Sequence, residues 1–340
     1  MDLFVGLDVS QKTTLISVVD ANGAQVWHGA CRTEPAIIAG KVREHAAEAI
    51  RIGLESGSLS TWLWHELNGM GLPIVCLDAR HAKAVLSMQI NKSDRNDALG
   101  LAQIVRTGWY REVKIKRFDS HKIRMAIGAR VQIVRMRTDI MNQARGLLKL
   151  RGIVLPTGRP VEIEQHISGD DDPLAPALRA LAQVLASIRT AIRDLDRKIR
   201  QLTKDDADCR LLQSIPGVGP LTALAFVATI DNPDRFRRSR SVGAYVGLTP
   251  QRYQSGETDY TGRISRCGDG LVRSYLYEAA NSLLTRITRF SPLKAWGVRM
   301  AVRHGGKKAR VAIARKLAVI MHRMLITREP FRWSIADAQA

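Results

Sequence analysis

Leu178, Leu181, Leu185, Ile188, Ile192, Leu195, Ile199 and Leu202 step along the chain by 3, 4, 3, 4, 3, 4 and 3 residues. This is an unbroken a/d stripe, and a helix that carries it has to lay the stripe against a second helix. The segment before it, 121–151, is helix-friendly and heavily basic, with Ile123, Ile127, Val131, Val134, Met141 and Leu148 on one stripe. Between the two, the acidic, proline-containing stretch from Gly169 to Pro176 has the composition of a hairpin tip. Residues 120–204 are therefore expected to form a long antiparallel helical, coiled-coil arm. Two uses of the seam stand open: an oligomerisation surface or an internal hairpin contact.

Ahead of the arm the period changes from 3.5 to 2. Residues 3–9 (LFVGLDV), 13–20 (TTLISVVD) and 24–32 (AQVWHGACR) are β-rich runs joined by turn signals at Ser10-Gln11-Lys12 and Ala21-Asn22-Gly23, the pattern of a meander. A helix over about 35–48, an apolar run from Ala49 to Leu54, a helix over 59–69, a strand at 73–77 and helices from Ala79 and over 93–106 follow. Three antiparallel strands and then alternating α and β elements is the order of a ribonuclease-H-like fold. Residues 1–119 are read as that domain, and 205–340 as a third, mainly helical one.

The charge divides along the same line. Lys and Arg outnumber Asp and Glu by 52 to 32, a net +20, yet residues 1–100 hold 9 basic and 11 acidic side chains. Acid in front suits carboxylate chemistry, and base behind suits a polyanion. With 45% hydrophobic and 25% charged residues, the composition excludes fibrous, disordered and membrane classes. No run approaches the roughly 18 apolar residues of a span, and Met1 leads straight into a strand, so a cytosolic chain is expected. Cys31, Cys76, Cys209 and Cys267 are too dispersed for zinc or disulfides and are read as small buried hydrophobes.

Four carboxylates fall where such a fold gathers them. Asp8 closes the first strand, Glu55 closes the fourth, and Asp94 and Asp97 lie three apart on one face of a helix. Hard oxygen donors of this kind suit Mg²⁺, which binds phosphate oxygens as well. Singly each has a plainer reading: turn former, cap, or helix-terminal charge. Asp78 fits a helix cap and Asp20 a hairpin turn, so both rank below the four.

In the rear third, Leu211 to Ala223 places Gly217-Val218-Gly219 between hydrophobic residues, the pattern of a helix-hairpin-helix element. Its glycines would let backbone N–H groups approach a DNA phosphate; a helix-packing corner is the other reading. Ser255 precedes Gly256 in a loop flanked by Arg252, Arg263 and Arg266, electrostatics that a phosphate-attacking hydroxyl needs. No histidine base is near it in sequence, and taken alone it reads as a turn serine. Ser265 also lies among arginines, and a loop-to-helix cap is the economical reading of it. Lys307 and Lys308 open a further basic helical segment.

GLDVSQK around Asp8, LESG around Glu55, KSDRNDA at 92–98, SIPGVGPLTA at 214–223, GLTPQRYQSGE at 247–257, GRISRCGD at 262–269 and KKARVAIARKLAVIMHRM at 307–324 together resemble transposases of the IS110 family of bacterial insertion sequences, nearly end to end. The resemblance implies a RuvC-like domain with an Asp-Glu-Asp-Asp tetrad (Asp8, Glu55, Asp94, Asp97) holding Mg²⁺ or Mn²⁺, and a C-terminal transposase domain with Ser255 as the catalytic serine. It implies a nucleoid-associated recombinase acting on donor and target DNA, guided by a noncoding bridge RNA, dimeric and assembling to tetramers. Strand exchange would pass through a 5′-phosphoserine at a site shared between protomers. Gln254 departs from the second serine of many relatives. Nucleic-acid contacts are expected from Gly217, Gly219, Arg252, Arg263, Arg266, Lys307 and Lys308. Two rival readings share the residues: a RuvC-like metal nuclease or junction resolvase in which Ser255 is structural, and a nucleic-acid-binding protein without chemistry.

Overall fold

Residues that alternate between core and solvent build the first sheet. In the computed structural model, which describes residues 1–87, 93–156, 162–166 and 173–333, β1 (Leu3–Val9), β2 (Thr13–Val19) and β3 (Gln25–Arg32) form the meander. α1 (Pro35–His45), β4 (Ala49–Glu55), α2 (Ser60–Gly69), β5 (Ile74–Leu77), α3 (Ala79–Leu86) and α4 (Asp94–Thr107) follow. The sheet order is β3-β2-β1-β4-β5, with β1, β4 and β5 parallel and the first three strands antiparallel, the order of a ribonuclease-H-like sheet. Val5, Leu7, Ile52 and Leu54 point to the face covered by Ile38 and Val42 of α1 and Leu63 and Leu67 of α2. This unit spans Met1–Lys116.

The opposite face is opened by two glycines that stand side by side, Gly6 of β1 in register with Gly53 of β4. A Cβ on Gly6 would lie 2.2 Å from the Ala98 carbonyl oxygen and 2.4 Å from the Ala102 amide of α4. One on Gly53 would meet Val105 Cγ1 at 2.4 Å. Helix α4 therefore sits in a trough with its backbone directly on β1. Gln103 Nε2 donates to the Gly23 carbonyl at 2.7 Å and Arg106 to that of Ala21 at 3.0 Å, which fix its far end to the β2–β3 turn.

Among its described residues the second unit, Arg117–Ala340, is helical apart from one hairpin. Its elements are α5 (Phe118–Lys149), a 3-10 turn at Ile163–His166, α6 (Ala175–Asp205), α7 (Ala207–Leu212), α8 (Pro220–Ile230), a second 3-10 turn at Pro233–Arg235, α9 (Arg240–Tyr245), β6 (Pro250–Ser255), β7 (Thr258–Ile264), α10 (Gly270–Thr285), α11 (Pro292–His304) and α12 (Gly306–Thr327). Helix α6 packs along α5 within one chain. Leu178 and Leu185 join Ala144, Leu148 and Ile163 in a small core of their own. Ile199, further along the seam, joins Ile127 in the main core with Phe226, Leu276 and Leu317. Five seam residues, Leu178, Leu185, Ile188, Ile192 and Ile199, are buried by this packing alone, while Leu181, Leu195 and Leu202 keep part of their surface. Of the expected tip, residues 169–172 lie outside the described residues.

The cysteines differ from the expectation. Cys76 and Cys209 are buried, but Cys31 is half-buried and Cys267 exposed, because the loop carrying Cys267 lends its backbone rather than its side chain to packing. Among the described residues no helix is long and apolar enough to cross a membrane.

The trough predicts unequal costs for two equal-looking substitutions. Gly6→Ala forces a side chain into helix backbone, which cannot yield, and should cost on the order of 3 kcal/mol, whereas Gly53→Ala meets the tip of one valine and should cost about 1 kcal/mol. Urea denaturation of both variants, followed by circular dichroism, checks the ranking.

Candidate catalytic centre and nucleic-acid interface

Each strand glycine is followed two residues later by a carboxylate: Gly6-Leu7-Asp8 on β1 and Gly53-Leu54-Glu55 on β4. Since side chains two apart share a face, Asp8 and Glu55 lie on the α4 side of the sheet. Leu7 pairs with Leu54, so one residue further on the two carboxylates stand at the neighbouring C-terminal ends of parallel strands. Both are half-buried. The same trough seats Ala98, which sets Asp94 and Asp97 in the turn of α4 that precedes it; Ser93 caps that turn, its Oγ accepting from the Asn96 amide at 3.2 Å. Asp94 is exposed and Asp97 half-buried.

The donor set is all carboxylate, as a hard divalent cation prefers. Strand register and helix face align the four, yet among the described residues no three Asp, Glu, His or Cys side chains gather closely enough to hold a metal ion. Lys92 of the KSDRNDA motif lies outside the described residues. The competing acids have other work. Asp78 caps α3, accepting from the amides of Arg80 and His81 at 3.0 and 3.3 Å. Asp20 accepts from Asn22 and Ala24 in its turn at 2.9 and 2.8 Å.

Ser255 is the last residue of β6, paired with Thr258 across the two-residue turn Gly256-Glu257. Gly256 has φ 55° and Glu257 no positive φ, the arrangement of a type II′ turn, which matches the strands' twist and favours glycine at that position. The expected loop is thus a β-hairpin with its serine at the tip. Every β6 residue is exposed. Gln254 and Arg252 face away from Ser255, and Arg252 is bound to Asp259 through two hydrogen bonds of 2.9 and 2.5 Å. On the serine's face, the Tyr253 and Tyr260 rings stack 4.8 Å apart at 18°.

The arginines are not gathered around the serine within one chain. Arg263 lies five residues along β7 from Thr258, about 17 Å at strand rise, and Arg266 lies beyond it. Both are exposed at the base of the hairpin. That base is a crossing of two backbones. A Cβ on Gly247 would lie 2.1 Å from the Cys267 carbonyl oxygen, and one on Gly268 would lie 2.0 Å from that of Tyr245. Arg266 takes φ 54° there and donates its amide to Gly247 at 3.1 Å. The glycines of GLTP and of RCGD are thereby explained by close approach rather than by a ligand. Ser265 accepts from the Cys267 amide at 3.4 Å, a local turn contact, while the cap of α10 is Asp269, which accepts from Leu271 and Val272 at 2.8 and 3.3 Å.

Asp269 also binds Arg124 of α5, and Thr229 of α8 donates to it at 3.1 Å. Burial alone would raise its carboxyl, but the Arg124 guanidinium and the two amides outweigh burial and hold it below the ordinary carboxylate range. No sequence signal marked this network, since its members lie 145 and 40 residues apart. Gly217, at φ 86°, presses on α10, where a Cβ would lie 2.6 Å from the Ala279 carbonyl oxygen. Gly219 caps α8 with open space where its side chain would be. Lys307 and Lys308 are exposed in the first turn of α12.

A ribonuclease-H-like sheet with carboxylates at adjacent strand ends, joined in one chain to a strongly basic helical unit, has the make-up of a protein acting on nucleic acid, and the comparisons with known proteins show the class to be a transposase. A transposase model of the DEDD type matches residues 5–151, and a model described as "Transposase IS116/IS110/IS902 family" matches residues 209–294. The transposase for insertion sequence element IS1111A of Coxiella burnetii is 30% identical over 284 residues, 81% of this chain and 77% of that protein. A putative transposase of Sinorhizobium fredii, y4pF/y4sB, is 27% identical over 94% of this chain and 95% of its own length. A probable family 20 transposase of Pseudomonas aeruginosa is 26% identical over 94% and 96%. The chain belongs to the IS110 family of insertion-sequence transposases.

Because the folded-state value of Asp269 is depressed, the stability it contributes is complete above about pH 4 and is lost as pH falls through that folded-state value. Asp269→Asn is expected to lower stability at neutral pH by about 2 kcal/mol, as for breaking a partly buried, hydrogen-bonded pair, and to flatten the decline as pH falls below about 4. Urea midpoints from about pH 7 down to about pH 3 read both effects.

Proposed function

We propose that this transposase is a recombinase that cuts and rejoins donor and target DNA through a 5′-phosphoserine on Ser255. The observation that carries the reading is the position of Ser255, one residue before a II′ turn at the tip of an exposed hairpin. A hydroxyl so presented reaches a phosphodiester without displacing any core. Its Oγ forms a bond to phosphorus as the bond from phosphorus to the 3′ oxygen breaks; the serine proton is lost and the 3′ oxygen gains one. One phosphoester replaces another, so rejoining needs no nucleotide cofactor.

Asp8, Glu55, Asp94 and Asp97 are the residues to hold a divalent cation, Mg²⁺ or Mn²⁺, sharing the α4 side of the sheet and offering carboxylate oxygens alone. A cation held by these carboxylates would offset negative charge on the phosphate and make the attacking hydroxyl more acidic. Ser255 and the tetrad belong to different compact units, which leaves room for the serine of one protomer to serve the carboxylates of another in a dimer assembling to a tetramer. Arg252, held by Asp259, stiffens the hairpin, while Arg263, Arg266, Lys307 and Lys308 bind flanking phosphates by charge. Gly219 keeps an open helix N-terminus for a phosphate; Gly217 supports it by packing on α10. The basic stretch 105–160 together with the helical arm of 120–204 is the surface for a noncoding bridge RNA, recognised by shape and phosphates, the arm lying in sequence after a metal-binding part (1–119) and before a serine-bearing part (205–340).

A suicide substrate carrying the element's end with a nick beside the cleavage site should trap wild-type protein on DNA, with the phosphate mapping to residue 255. Ser255→Ala should abolish trapping and leave DNA binding intact; Asp8→Asn and Asp97→Asn should each slow cleavage on the order of 1,000-fold. Trapping that survives Ser255→Ala, or cleavage to free 5′-phosphate and 3′-hydroxyl ends without an adduct, would return the protein to the metal-nuclease reading. Recombination undiminished by deleting the element's noncoding flank would remove the RNA.

A further inference from the structure

Two aromatic side chains of the hairpin are not explained by anything above. Tyr253 and Tyr260 are cross-strand partners, so they share a face, and alternation puts Ser255 and Thr258 on that face as well. The rings stack on each other with centroids 4.8 Å apart. Tyr253 also covers Gly262, where a Cβ would lie 3.0 Å from its ring. Yet 47% of Tyr253 and 55% of Tyr260 stay in solvent. Stacking in this way uses one face of each ring and leaves a planar, rigid surface outward. It stands two residues from the serine, about 7 Å along the strand.

We infer that the Tyr253–Tyr260 pair is a stacking platform for an unpaired nucleobase next to the phosphate that Ser255 attacks. The inference rests on the Ser255 reading for its location, though not for its measurement. Three observations select a base over a protein side chain. The neighbours on the tyrosines' own face are Gln251, Ser255 and Thr258, so the exposed apolar surface there is the outer face of a stacked ring, the size of a base and far smaller than a protein interface. Arg263 stands exposed on the other face of the ribbon, in a chain with net charge +20, and supplies the backbone attraction that accompanies base stacking. Tyr253 Oη donates to Gln251 Oε1 at 2.9 Å, which settles the ring's orientation before any ligand arrives. Stacking reads a π-face and not an edge pattern, so the platform tolerates any base and requires that it be out of its duplex. It therefore selects DNA that is already opened at the cleavage site.

The test uses full-length Ser255→Ala protein, in which no covalent step takes place, and two fluorescein-labelled 12-mers with equal phosphates: oligo-dT and an abasic strand of the same length. Anisotropy titrations should give about tenfold tighter binding to oligo-dT. Adding Tyr253→Leu and Tyr260→Leu should reduce oligo-dT affinity to the abasic level and leave the abasic affinity unchanged. Tyr253→Phe with Tyr260→Phe should keep the preference, since the ring and not the hydroxyl does the stacking. A preference that survives the leucine pair, or that the phenylalanine pair loses, overturns the platform. Should the leucine protein be misfolded, oligo-dT with 5-iodouracil is photocrosslinked to protein whose only substitution is Ser255→Ala. Adducts at Tyr253 or Tyr260 support the platform, and adducts mapping only to other aromatics, such as Trp109, Phe118 or Phe290, overturn it. An adduct-forming enzyme without base preference sinks the platform alone; base preference in an enzyme that forms no adduct sinks the serine chemistry alone.

Discussion

The first unit depends on a contact from which side chains are excluded. Helix α4 rests its backbone on β1 at Gly6, beside Gly53 of β4. That contact fixes the height of the helix above the sheet and, through the helical repeat, where its first turn lies over the strand ends. The carboxylates come two residues after the glycines on the strands and within one turn before Ala98 on the helix. Packing and placement of the acids are therefore one geometric fact. The hydrophobic face beneath, with α1 and α2, stabilises the sheet but has no say in where the carboxylates go.

The second unit repeats the device with a different purpose. Gly247 and Gly268 let the chain entering the hairpin cross the chain leaving it at backbone distance, and the ladder closes above with Ser265 donating to Thr249 at 2.8 Å. Below the crossing, Asp269 ties α10, α5 and α8 together. Arg130 and Asp196 pair across α5 and α6, so the long helices are joined to each other by charge as well as by the seam. The hairpin thus rises from a clamped foot, and above that foot its strand ladder, its turn, the Arg252–Asp259 pair and the tyrosine stack hold it in shape.

Most of the α/β unit was legible because its signals are local. Period-2 runs, turn residues and helix caps put the elements of 1–107 within a few residues of their observed limits, and Asp8, Glu55, Asp94 and Asp97 could be named from their places on those elements. The glycine two residues before each strand carboxylate was equally visible, but its meaning depends on helix α4, whose contacting residues come about 50 residues after Gly53 and over 90 after Gly6. The hairpin was missed for another reason. Its strands are polar on both faces, so no hydrophobic alternation announces them, and the Ser255-Gly256-Glu257-Thr258 turn was the one available signal. The three arginines looked like neighbours of Ser255 because sequence distance hides the length of an extended strand. The seam fixed that a partner helix exists and left its identity to the structure, which supplies α5 of the same chain along most of its length.

A two-stranded ribbon without a third strand or a helix beneath it is a weak spring. Ser255 stands at the free end of that spring, where the angular play at the foot is multiplied by the full length of the strands. A side chain mounted in this way is loosely aimed in a lone molecule, and its aim sharpens when something else grips the ribbon along its sides. On the proposed serine chemistry such compliance would work as a safety catch: stray duplex touching an isolated chain would meet a hydroxyl without a fixed aim, and the bond-breaking geometry would become frequent only once the ribbon was gripped.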